Sequence, residues 1–369
     1  MSAIELRGVE KSYGRRKVLS GLDLRVEPGT FVVVLGPPAC GKSVLVRLLT
    51  GLEAPSAGSI SLRGQDASGR SPAERDIGYV PQSFALYPHY DVQANIAYPL
   101  ALMRMPRSEI EPKVQKVAAQ LKIAHLLGKR PNQLSGGEKQ RVALARGIVK
   151  PTDIFLLDDP LTGLDFKLRE QLFDDLKQMQ QDLGATFVYM TSDPLEALAL
   201  ADRIAILDGG TVLSTGPVEE VYQRPDHLRA MELLGAPPAN RLDGVLRVRG
   251  GQVLCDVDLF RFGVELPSKE AAVDGRPVQV AIRPQHLGLH PDGAGLLRCQ
   301  AELVLEEDLG AELVVFLRAG GRPLVMLVPH AGRTGPIPEV VTVGVRPPDA
   351  VVFAADTGVR LGQGSAAHV

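Results

Sequence analysis

Apolar and polar residues follow different patterns in the two halves of the chain. The first half opens with two alternating stretches, residues 4–9 and 22–26, and each has the pattern of a strand with one buried face. Short, largely apolar runs follow at residues 31–35, 154–157 and 186–190, which predict buried strands. Longer stretches of helical character lie between them. This half therefore predicts an α/β domain.

Helical periodicity dominates from about residue 83 to 150. Ser108 and Glu111 fit the S-x-x-E pattern of a capping box, and apolar residues follow at helical spacing. Residues 166–183 predict a second amphipathic helix, which ends at Gly184. Residues 203–213 then predict a hairpin with a glycine turn. We expect a helical subdomain at 83–150, set into the α/β domain.

The pattern changes after residues 235–239, a stretch of glycine, alanine and proline that predicts a linker. Beyond it, apolar runs are short and separated by turn residues, and long helical periodicity is missing; the runs are 279–282, 313–317, 324–328 and 340–343. This pattern is typical of a small β-barrel. The sequence therefore predicts an α/β domain at 1–235 and a β-barrel domain at 236–369.

Composition narrows the class of protein. The 369 residues carry a net charge of −2, which gives no electrostatic argument for nucleic-acid binding. Cys40, Cys255 and Cys299 lie far apart, which argues against a zinc site or a disulfide framework and fits a reducing cytoplasm. The N-terminus lacks the features of a signal peptide, and no apolar run approaches the ~20 residues that span a bilayer. We expect a chain that can dock on a membrane protein without crossing the membrane itself.

A glycine-rich stretch follows the first buried run and fits the phosphate-binding pattern G-x-x-x-x-G-K-[S/T]. Its residues are Gly36, Pro37, Pro38, Ala39, Cys40, Gly41, Lys42 and Ser43. The strand before it and the apolar residues 44–49 after it supply the strand–loop–helix context that the motif needs. Lys42 is expected to reach the β- and γ-phosphates of a nucleotide, and Ser43 to bind Mg²⁺. Pro37 and Pro38 lack an N–H, so we expect weaker phosphate binding than the motif alone implies.

A second anion-binding pattern lies about a hundred residues further on. Residues 134–141 read Leu-Ser-Gly-Gly-Glu-Lys-Gln-Arg, and the two glycines open a helix. The hydroxyl of Ser135 and the amides of Gly136 and Gly137 then converge at a helix N-terminus, where the helix dipole favours an anion.

Three further candidates lie at strand ends or turns. Asp158 and Asp159 follow a buried apolar run, where a carboxylate that holds Mg²⁺ belongs, although two acidic residues can also form a solvated turn. Gln82 follows a short buried strand, and its amide could bind a metal or orient water, or simply lie on the surface. Tyr13 lies beside a glycine and a basic run, where its ring could stack on an adenine or serve packing alone.

Together these motifs resemble the ATP-binding subunit of ABC transporters, and the stretch 134–141 is the most specific of them. The resemblance implies an α/β P-loop nucleotide-binding domain with antiparallel β and helical subdomains, followed by an all-β, OB-like barrel. It implies that ATP and Mg²⁺ are bound, with Tyr13 on the adenine, residues 36–43 on the phosphates, and metal contacts from Ser43, Gln82 and Asp158.

The resemblance also implies partners and a location. In this family two ATP-binding subunits close head to tail, so that Ser135, Gly136 and Gly137 contact the γ-phosphate bound to the other subunit, and Leu164 and Asp165 lie in the loop that crosses the dimer. Transmembrane permease subunits, and through them a substrate-binding protein, complete the transporter. The expected location is the cytoplasmic face of the cell membrane.

The barrel half narrows the resemblance further. Residues 282–286 and 309–312 resemble the regulatory barrel of the maltose and glycerol-phosphate importer ATPases, although these motifs are weaker than those of the first half. The resemblance implies uptake of a sugar, polyol or glycerol-type solute.

Two positions depart from the family pattern. Asp159 stands where the family has the glutamate that acts as general base, and Ser192 stands where it has a histidine that contacts the γ-phosphate. Asp is one methylene shorter than Glu, about 1.5 Å of reach, and a misplacement of about 1 Å can cost on the order of 10²-fold in rate. We therefore expect the catalytic site of this chain to be attenuated. We also expect the chain to form a heterodimer with a related ATPase whose own site is competent.

Three other interpretations remain beside this one. The chain could form a fully active homodimer in which Asp159 acts through an extra water, or a nucleotide-binding switch that does not hydrolyse ATP. A soluble ABC protein of DNA repair or translation is disfavoured, because those proteins usually carry two cassettes or long coiled-coil insertions.

Overall fold

The computed structural model describes residues 2–83, 85–163, 165–267, 273–289, 295–330 and 335–365. Contacts along the chain divide it into two compact units, Met1–Val221 and Tyr222–Val369. Where the structure describes the chain, no helix combines the length and the apolar character needed to cross a bilayer.

The strands of the first unit are β1 (Ile4–Tyr13), β2 (Arg16–Val26), β3 (Phe31–Leu35), β4 (Ala57–Leu62), β5 (Gln65–Asp66), β6 (Gly78–Val80), β7 (Ile154–Asp158), β8 (Thr186–Thr191), β9 (Arg203–Asp208) and β10 (Thr211–Pro217). The helices are α1 (Lys42–Thr50), α2 (Pro72–Arg75), α3 (Val92–Leu102), α4 (Arg107–Gln120), α5 (Gly136–Ile148), α6 (Phe166–Leu183) and α7 (Pro194–Leu200), and α8 (Val218–Gln223) ends in the second unit.

Two sheets form the first unit. The alternating strands β1 and β2 pair antiparallel and continue into β4 and β5. The wholly apolar strands lie in a six-stranded sheet of order β10-β9-β3-β8-β7-β6, in which all neighbours are parallel except β10 and β9. Every residue of β3, β7 and β8 is buried, as the apolar runs within these strands predict.

This sheet order decides where the functional residues meet. Strands β3, β8, β7 and β6 are parallel neighbours, so their carboxyl ends lie at one edge of the sheet. The residues that follow these four strands are the glycine-rich loop, Ser192, Asp159 and Gln82. Motifs separated by up to about 150 residues along the chain are thereby brought to one place.

The helical segment contains α3, α4 and α5, and a buried ion pair joins α5 to α6. The Arg141 guanidinium donates to Asp175 at 2.6 Å and to the carbonyl of Leu121 at 3.0 Å, and both charged side chains are under 10% exposed. Lys122 adds a second, more exposed ion pair to Asp175 at 2.8 Å. Asp175 thus connects the helical segment with α6.

The predicted capping box at Ser108 is wrong. Helix α4 begins at Arg107, because the carbonyl of Pro106 already accepts the amides of Glu109 and Ile110 at 2.9 and 3.1 Å. Ser108 therefore lies inside the first turn and cannot cap it.

The second unit contains α9 (Leu228–Leu233) and strands β11 (Asn240–Arg249), β12 (Gln252–Val257), β13 (Phe260–Glu265), β14 (Pro277–Ile282), β15 (Gly288–Leu289), β16 (Leu297–Asp308), β17 (Glu312–Ala319), β18 (Arg322–Pro329), β19 (Val340–Val345), β20 (Val351–Ala354) and β21 (Arg360–Ser365). Strands β11-β12-β13-β21-β20-β14 close a barrel, and β15-β19-β16-β17-β18 form a five-stranded sheet. Buried residues of both make one apolar core. The all-β character of this half is confirmed.

Residues 222–234 precede the expected linker but pack with the second unit. Leu228 and Met231 of α9 join a small core with Val351 and Phe353 of β20. The buried Arg283 guanidinium donates to the carbonyls of Leu234 and Tyr222, at 3.2 and 2.6 Å. The linker at 235–239 therefore lies within the second unit.

Candidate functional site

The glycine-rich loop joins β3 to α1. The Lys42 amine donates to the carbonyls of Gly36 and Pro37, at 2.5 and 3.1 Å, and so stabilises the loop in this conformation. Gly41 has φ +116° next to the first helical residue, and a Cβ there would lie 2.6 Å from Leu19 Cδ2. This position therefore needs a glycine, both for its backbone angle and for the close packing.

The middle of the loop is strained. Ala39 has φ +63°, a left-handed conformation that costs an L-residue roughly 1–2 kcal/mol. The amide of Cys40 donates to the carbonyl of Pro37 at 3.3 Å, and burial raises the pKa of its thiol. Gly36, Cys40 and Gly41 are buried, so of the eight loop residues these three can offer a ligand only their backbone.

A cavity of about 660 Å³ opens above the loop. Its lining residues are Tyr13, Arg16, Val18, Pro38, Ala39, Gly41, Lys42, Ser43, Val44, Gln82, Asp158, Asp159 and Ser192. Residues from β1, the loop, and the ends of β6, β7 and β8 therefore line one space, and its volume is in the range of small-molecule sites.

Asp158 is the buried acid of this cavity. Burial raises the pKa of its carboxyl, and the adjacent charge of Asp159 raises it further. A hydrogen bond from Ser43 and the positive charges of Lys42 and Arg47 act in the opposite direction. One hydroxyl and two positive charges therefore oppose the effect of burial on this carboxyl.

Asp159 adopts an unusual backbone conformation. Its φ is +47°, a region in which Asp and Asn are the most tolerated residues with a side chain. Its amide donates to the carbonyl of Met190 at 2.9 Å, which ties the end of β7 to β8. Its carboxylate accepts a long hydrogen bond, 3.4 Å, from the amide of Gln82. The acid is therefore held at the cavity wall by both its backbone and its side chain.

Tyr13 lines the cavity and is 43% exposed. Its hydroxyl donates to Glu53, and this contact is the main cause of the raised pKa of Tyr13. The Lys11 amine lies 5.1 Å from the ring centroid and forms an ion pair with Glu53 at 3.0 Å. The ring is thus held at both its hydroxyl end and its face.

Ser192 is exposed at the cavity edge, and a buried network lies behind it. Glu196 accepts the hydroxyl of Thr191 at 2.6 Å and that of Tyr189 at 2.8 Å. The amide of Asp193 donates to the Thr191 hydroxyl at 3.0 Å, while the Asp193 carboxylate accepts from Arg169 of α6 at 2.8 Å. This network fixes the residues on both sides of Ser192.

The second glycine motif lies outside the cavity. Ser135 caps α5 by accepting the amide of Glu138 at 3.3 Å, and the Glu138 carboxylate accepts the Ser135 amide at 2.7 Å. Ser135 and Gly136 are exposed and Gly137 is half-buried. Of the expected dimer-loop residues, Leu164 lies outside the described residues, and Asp165 caps α6 by accepting the amide of Leu168 at 2.9 Å.

The cavity fits a magnesium nucleotide on its donor set. A serine hydroxyl, a carboxylate and an amide oxygen, from Ser43, Asp158 and Gln82, are oxygen ligands of the kind that Mg²⁺ prefers. The amides at the start of α1 have no partner within the helix and point towards the loop, where a phosphate can accept them.

Sequence reasoning missed several residues of this region. Arg16, Val18 and Val44 line the cavity, and only the basic run around Arg16 signalled one of them. The buried position of Glu196 was also missed, because a lone acidic residue in a short helix is usually solvent-exposed.

Comparison with known families agrees with this geometry. Residues 19–162 match the family described as ABC transporter, and residues 280–353 match the TOBE domain. The first match includes the glycine-rich loop, both aspartates and the second glycine motif.

Similar proteins cover nearly the whole chain. The sulfoquinovosyl glycerol transport ATP-binding protein SmoE of Agrobacterium fabrum is 38% identical over 97% of this chain and 99% of its own length. The trehalose/maltose import ATP-binding protein MalK of Thermococcus litoralis is 38% identical, over 87% and 89%. The sn-glycerol-3-phosphate import ATP-binding protein UgpC of Cupriavidus pinatubonensis is 37% identical, over 98% and 100%.

Solved structures show the same fold for part of the chain. One is the structure of cbiO1 from Clostridium perfringens, part of the ABC transporter complex cbiONQ. It is 26% identical to this chain with a TM-score of 0.57, and the match covers 63% of this chain and 95% of the cbiO1 chain. A post-hydrolysis dimer of the ATP-binding cassette MJ0796, bound to ADP and Pi, is 28% identical with a TM-score of 0.54, over 58% and 98%. This chain is an ABC-type ATPase, and it belongs to the family of ATP-binding proteins with a TOBE domain that includes the sugar and glycerol-phosphate import ATPases.

Proposed function

We propose that this chain is the ATP-binding and ATP-hydrolysing subunit of an importer for a sugar, polyol or glycerol-type solute, and that its own catalytic site is attenuated. The observation that carries the proposal is the cavity of about 660 Å³, which has the glycine-rich loop, Asp158, Asp159, Gln82 and Ser192 on its walls. The names of the relatives, which include sulfoquinovosyl glycerol, trehalose/maltose and sn-glycerol-3-phosphate, support the solute class.

Each residue has a distinct role in this proposal. The ring of Tyr13 stacks on the adenine, while Lys42 leaves its loop carbonyls to contact the β- and γ-phosphates. Ser43 and Asp158 hold Mg²⁺, which supplies charge neutralisation when bound, and Gln82 orients water beside it. Asp159 is the acceptor for the proton of the attacking water.

The exposure of Ser135 supports a role in a second subunit's site. Ser135 lies outside the chain's own cavity, at the exposed N-terminus of α5, where the helix dipole favours an anion. We propose that Ser135, Gly136 and Gly137 contact the γ-phosphate of ATP on a partner ATPase, in a head-to-tail dimer that docks on permease subunits at the cytoplasmic face of the membrane and, through them, serves a substrate-binding protein.

Three features of the chain's own site support attenuation. Asp159 is short for a general base, and its carboxylate contacts the Gln82 amide at 3.4 Å. Ser192 offers one hydroxyl, with no cationic form to stabilise developing charge. Two prolines in the loop remove amide donors. The motif that serves the partner is intact, so we propose a dimer with a related ATPase that carries Glu and His at these positions.

The substitution Asp159→Glu tests this function. We expect the full chain alone to hydrolyse Mg·ATP slowly, and the variant to hydrolyse it about tenfold faster or more, because the longer acid regains reach towards the attacking water. The steady-state rate of phosphate release measures this, with Asp159→Asn as the matched control that cannot accept the proton.

The other outcomes favour the other interpretations. A rapid rate for the unmodified chain supports the fully active homodimer. Equal and negligible rates for the unmodified chain and Asp159→Glu, with ATP still bound, support the non-hydrolysing switch. If the unmodified chain does not bind ATP, the proposed function is contradicted altogether.

A further inference from the structure

A buried arginine caps the end of helix α1 that lies away from the glycine-rich loop. Arg75 is 4% exposed, and its guanidinium donates to the carbonyls of Leu48 and Leu49 in the last turn of α1, at 2.6 and 3.0 Å. The last carbonyls of a helix have no partner within it, and a cation placed there also faces the negative end of the helix dipole. Arg75 therefore fixes the far end of the helix that begins with Lys42 and Ser43.

The same guanidinium also holds the stretch of chain that follows β5. It donates to the carbonyl of Ala67 at 3.1 Å and to that of Arg70 at 3.3 Å. Gly51 ends α1 with φ +79°, and a Cβ there would lie 2.6 Å from Arg75 Nε. Four backbone carbonyls thus accept hydrogen bonds from one planar group, which suits the fixed fork of an arginine and not the single ammonium of a lysine.

A cluster of charged side chains connects Arg75 with the central sheet. The Arg63 guanidinium donates to the carbonyls of Arg75 and Asp76, at 3.0 and 2.8 Å. Its Nε donates to the Asp153 carboxylate at 2.7 Å, and the Lys150 amine forms an ion pair with Asp76 at 2.8 Å. Asp76 lies just before β6, Asp153 directly before β7, and Lys150 just after α5. The cluster therefore joins the ends of α1 and α5 to the starts of β6 and β7.

Each of these four elements has a residue of the proposed nucleotide function at its other end. Helix α1 begins with the glycine-rich loop, β6 leads to Gln82, β7 ends at Asp158, and α5 begins at Ser135. Apolar side chains of α1 and β7 share one core. Apolar packing is not directional, so it does not by itself fix how far the helix lies along its own axis. The hydrogen bonds of Arg75 supply that directional constraint.

We propose that Arg75 is a positioning residue for the bound magnesium nucleotide, because it holds α1, and with it Ser43, in register with Asp158 of β7. The inference rests on the proposed function, in which Ser43 and Asp158 hold the metal. Mg²⁺ demands near-ideal octahedral geometry, so ligands on two different elements must be held at fixed positions. ATP without the metal depends less on this register, since Lys42 and the amides of the loop belong to one continuous segment with α1.

The ratio of ATP affinity with Mg²⁺ to ATP affinity in a chelator, which we call the magnesium gain, tests this inference by calorimetric titration of the full chain. Arg75→Lys keeps the charge but cannot donate to four carbonyls at once. We expect it to lower the magnesium gain by about tenfold or more, because a misplacement of about 1 Å can cost on the order of 10²-fold. Its affinity for ATP without Mg²⁺ should stay close to that of the unmodified chain.

Two further variants separate positioning from a general loss of stability. Arg283→Lys is the matched control, since Arg283 is likewise buried and donates to backbone carbonyls, but in the second unit. It should lower the thermal midpoint of unfolding and leave the magnesium gain unchanged. Arg63→Lys removes donors from the half-buried side of the cluster and should lower the magnesium gain by a smaller factor than Arg75→Lys.

An unchanged magnesium gain in Arg75→Lys, or an equal loss in Arg283→Lys, overturns the inference while the proposed function stands. If Arg75→Lys does not fold, Arg63→Lys decides, and an unchanged magnesium gain in that variant overturns the inference. An unmodified chain that binds no ATP, or binds it no more tightly with Mg²⁺, contradicts the proposed site and this inference together.

Discussion

At the scale of single residues, Tyr13 is held in place in the way that its proposed stacking on the adenine requires. Its hydroxyl is engaged by Glu53, and the Lys11 amine lies 5.1 Å from the ring centroid. Because neighbouring charges hold the ring before any ligand arrives, stacking should cost little side-chain entropy on binding.

We predict that Tyr13→Ala weakens binding of Mg·ATP by about tenfold or more, since stacking of a base on an aromatic ring contributes about 1–3 kcal/mol. Tyr13→Phe keeps the ring and loses only the contact with Glu53, so its affinity should stay close to that of the unmodified chain. Equilibrium titration with a fluorescent ATP analogue measures both. Equal affinity for all three proteins would show that the base lies elsewhere.

Motif spacing and the family resemblance together predicted most of the residues that line the cavity, although Arg16, Val18 and Val44 were missed. The strand–loop–helix pattern around Lys42 and the acidic end of β7 both lie where the sequence indicated. The left-handed angles of Ala39 and Asp159 could not be predicted, because neither residue is a glycine and the tertiary contacts of the loops impose these conformations. Glu196 was missed because its partners Thr191 and Tyr189 are brought to it by the helix that follows β8.

At the scale of elements, the buried Arg141–Asp175 pair joins the helix that carries the second glycine motif to α6. Arg141 has its side chain 9% exposed and depends on Asp175 and the Leu121 carbonyl for its hydrogen bonds. Removing the acid leaves a buried positive charge without its counter-ion.

Asp175→Ala is predicted to lower the free energy of unfolding by about 3–5 kcal/mol, the usual cost of breaking a buried ion pair by removing one partner. The neighbouring Asp174 is exposed, so Asp174→Ala should change the free energy of unfolding by about 0.5 kcal/mol or less. The chain has no tryptophan, so the urea midpoint should be followed by far-ultraviolet circular dichroism. Similar midpoints for the two variants would show that the pair does not stabilise the fold.

Helix starts show where local pattern stops being informative. Near helix starts, the S-x-x-E pattern occurs at Ser71, Ser108 and Ser135, and it forms a capping box at the first and third of these positions. Near Ser108 the helix begins two residues earlier than the pattern predicts, with Pro106 as its N-cap, and the pattern has no capping role. A four-residue motif therefore does not by itself determine the first residue of a helix.

At the scale of the whole molecule, the proposed function gives the chain two surfaces that contact a nucleotide. One is the cavity lined by Lys42, which the chain builds for itself, and the other is the exposed Ser135 at the start of α5, which lies outside that cavity. The order of the parallel strands explains the first, because it brings four strand ends together. The surface at Ser135 would act only on a nucleotide held by another subunit. The sequence of this chain alone does not specify that subunit.

Calorimetric titration of the full chain with Mg·ATP tests the central claim most directly. We predict one nucleotide per chain, affinity lowered by about tenfold or more in Lys42→Ala, and unchanged affinity in Ser135→Ala, because only Lys42 lies in the chain's own cavity. No nucleotide bound to the unmodified chain, or an equal loss of affinity in the two variants, would contradict the account.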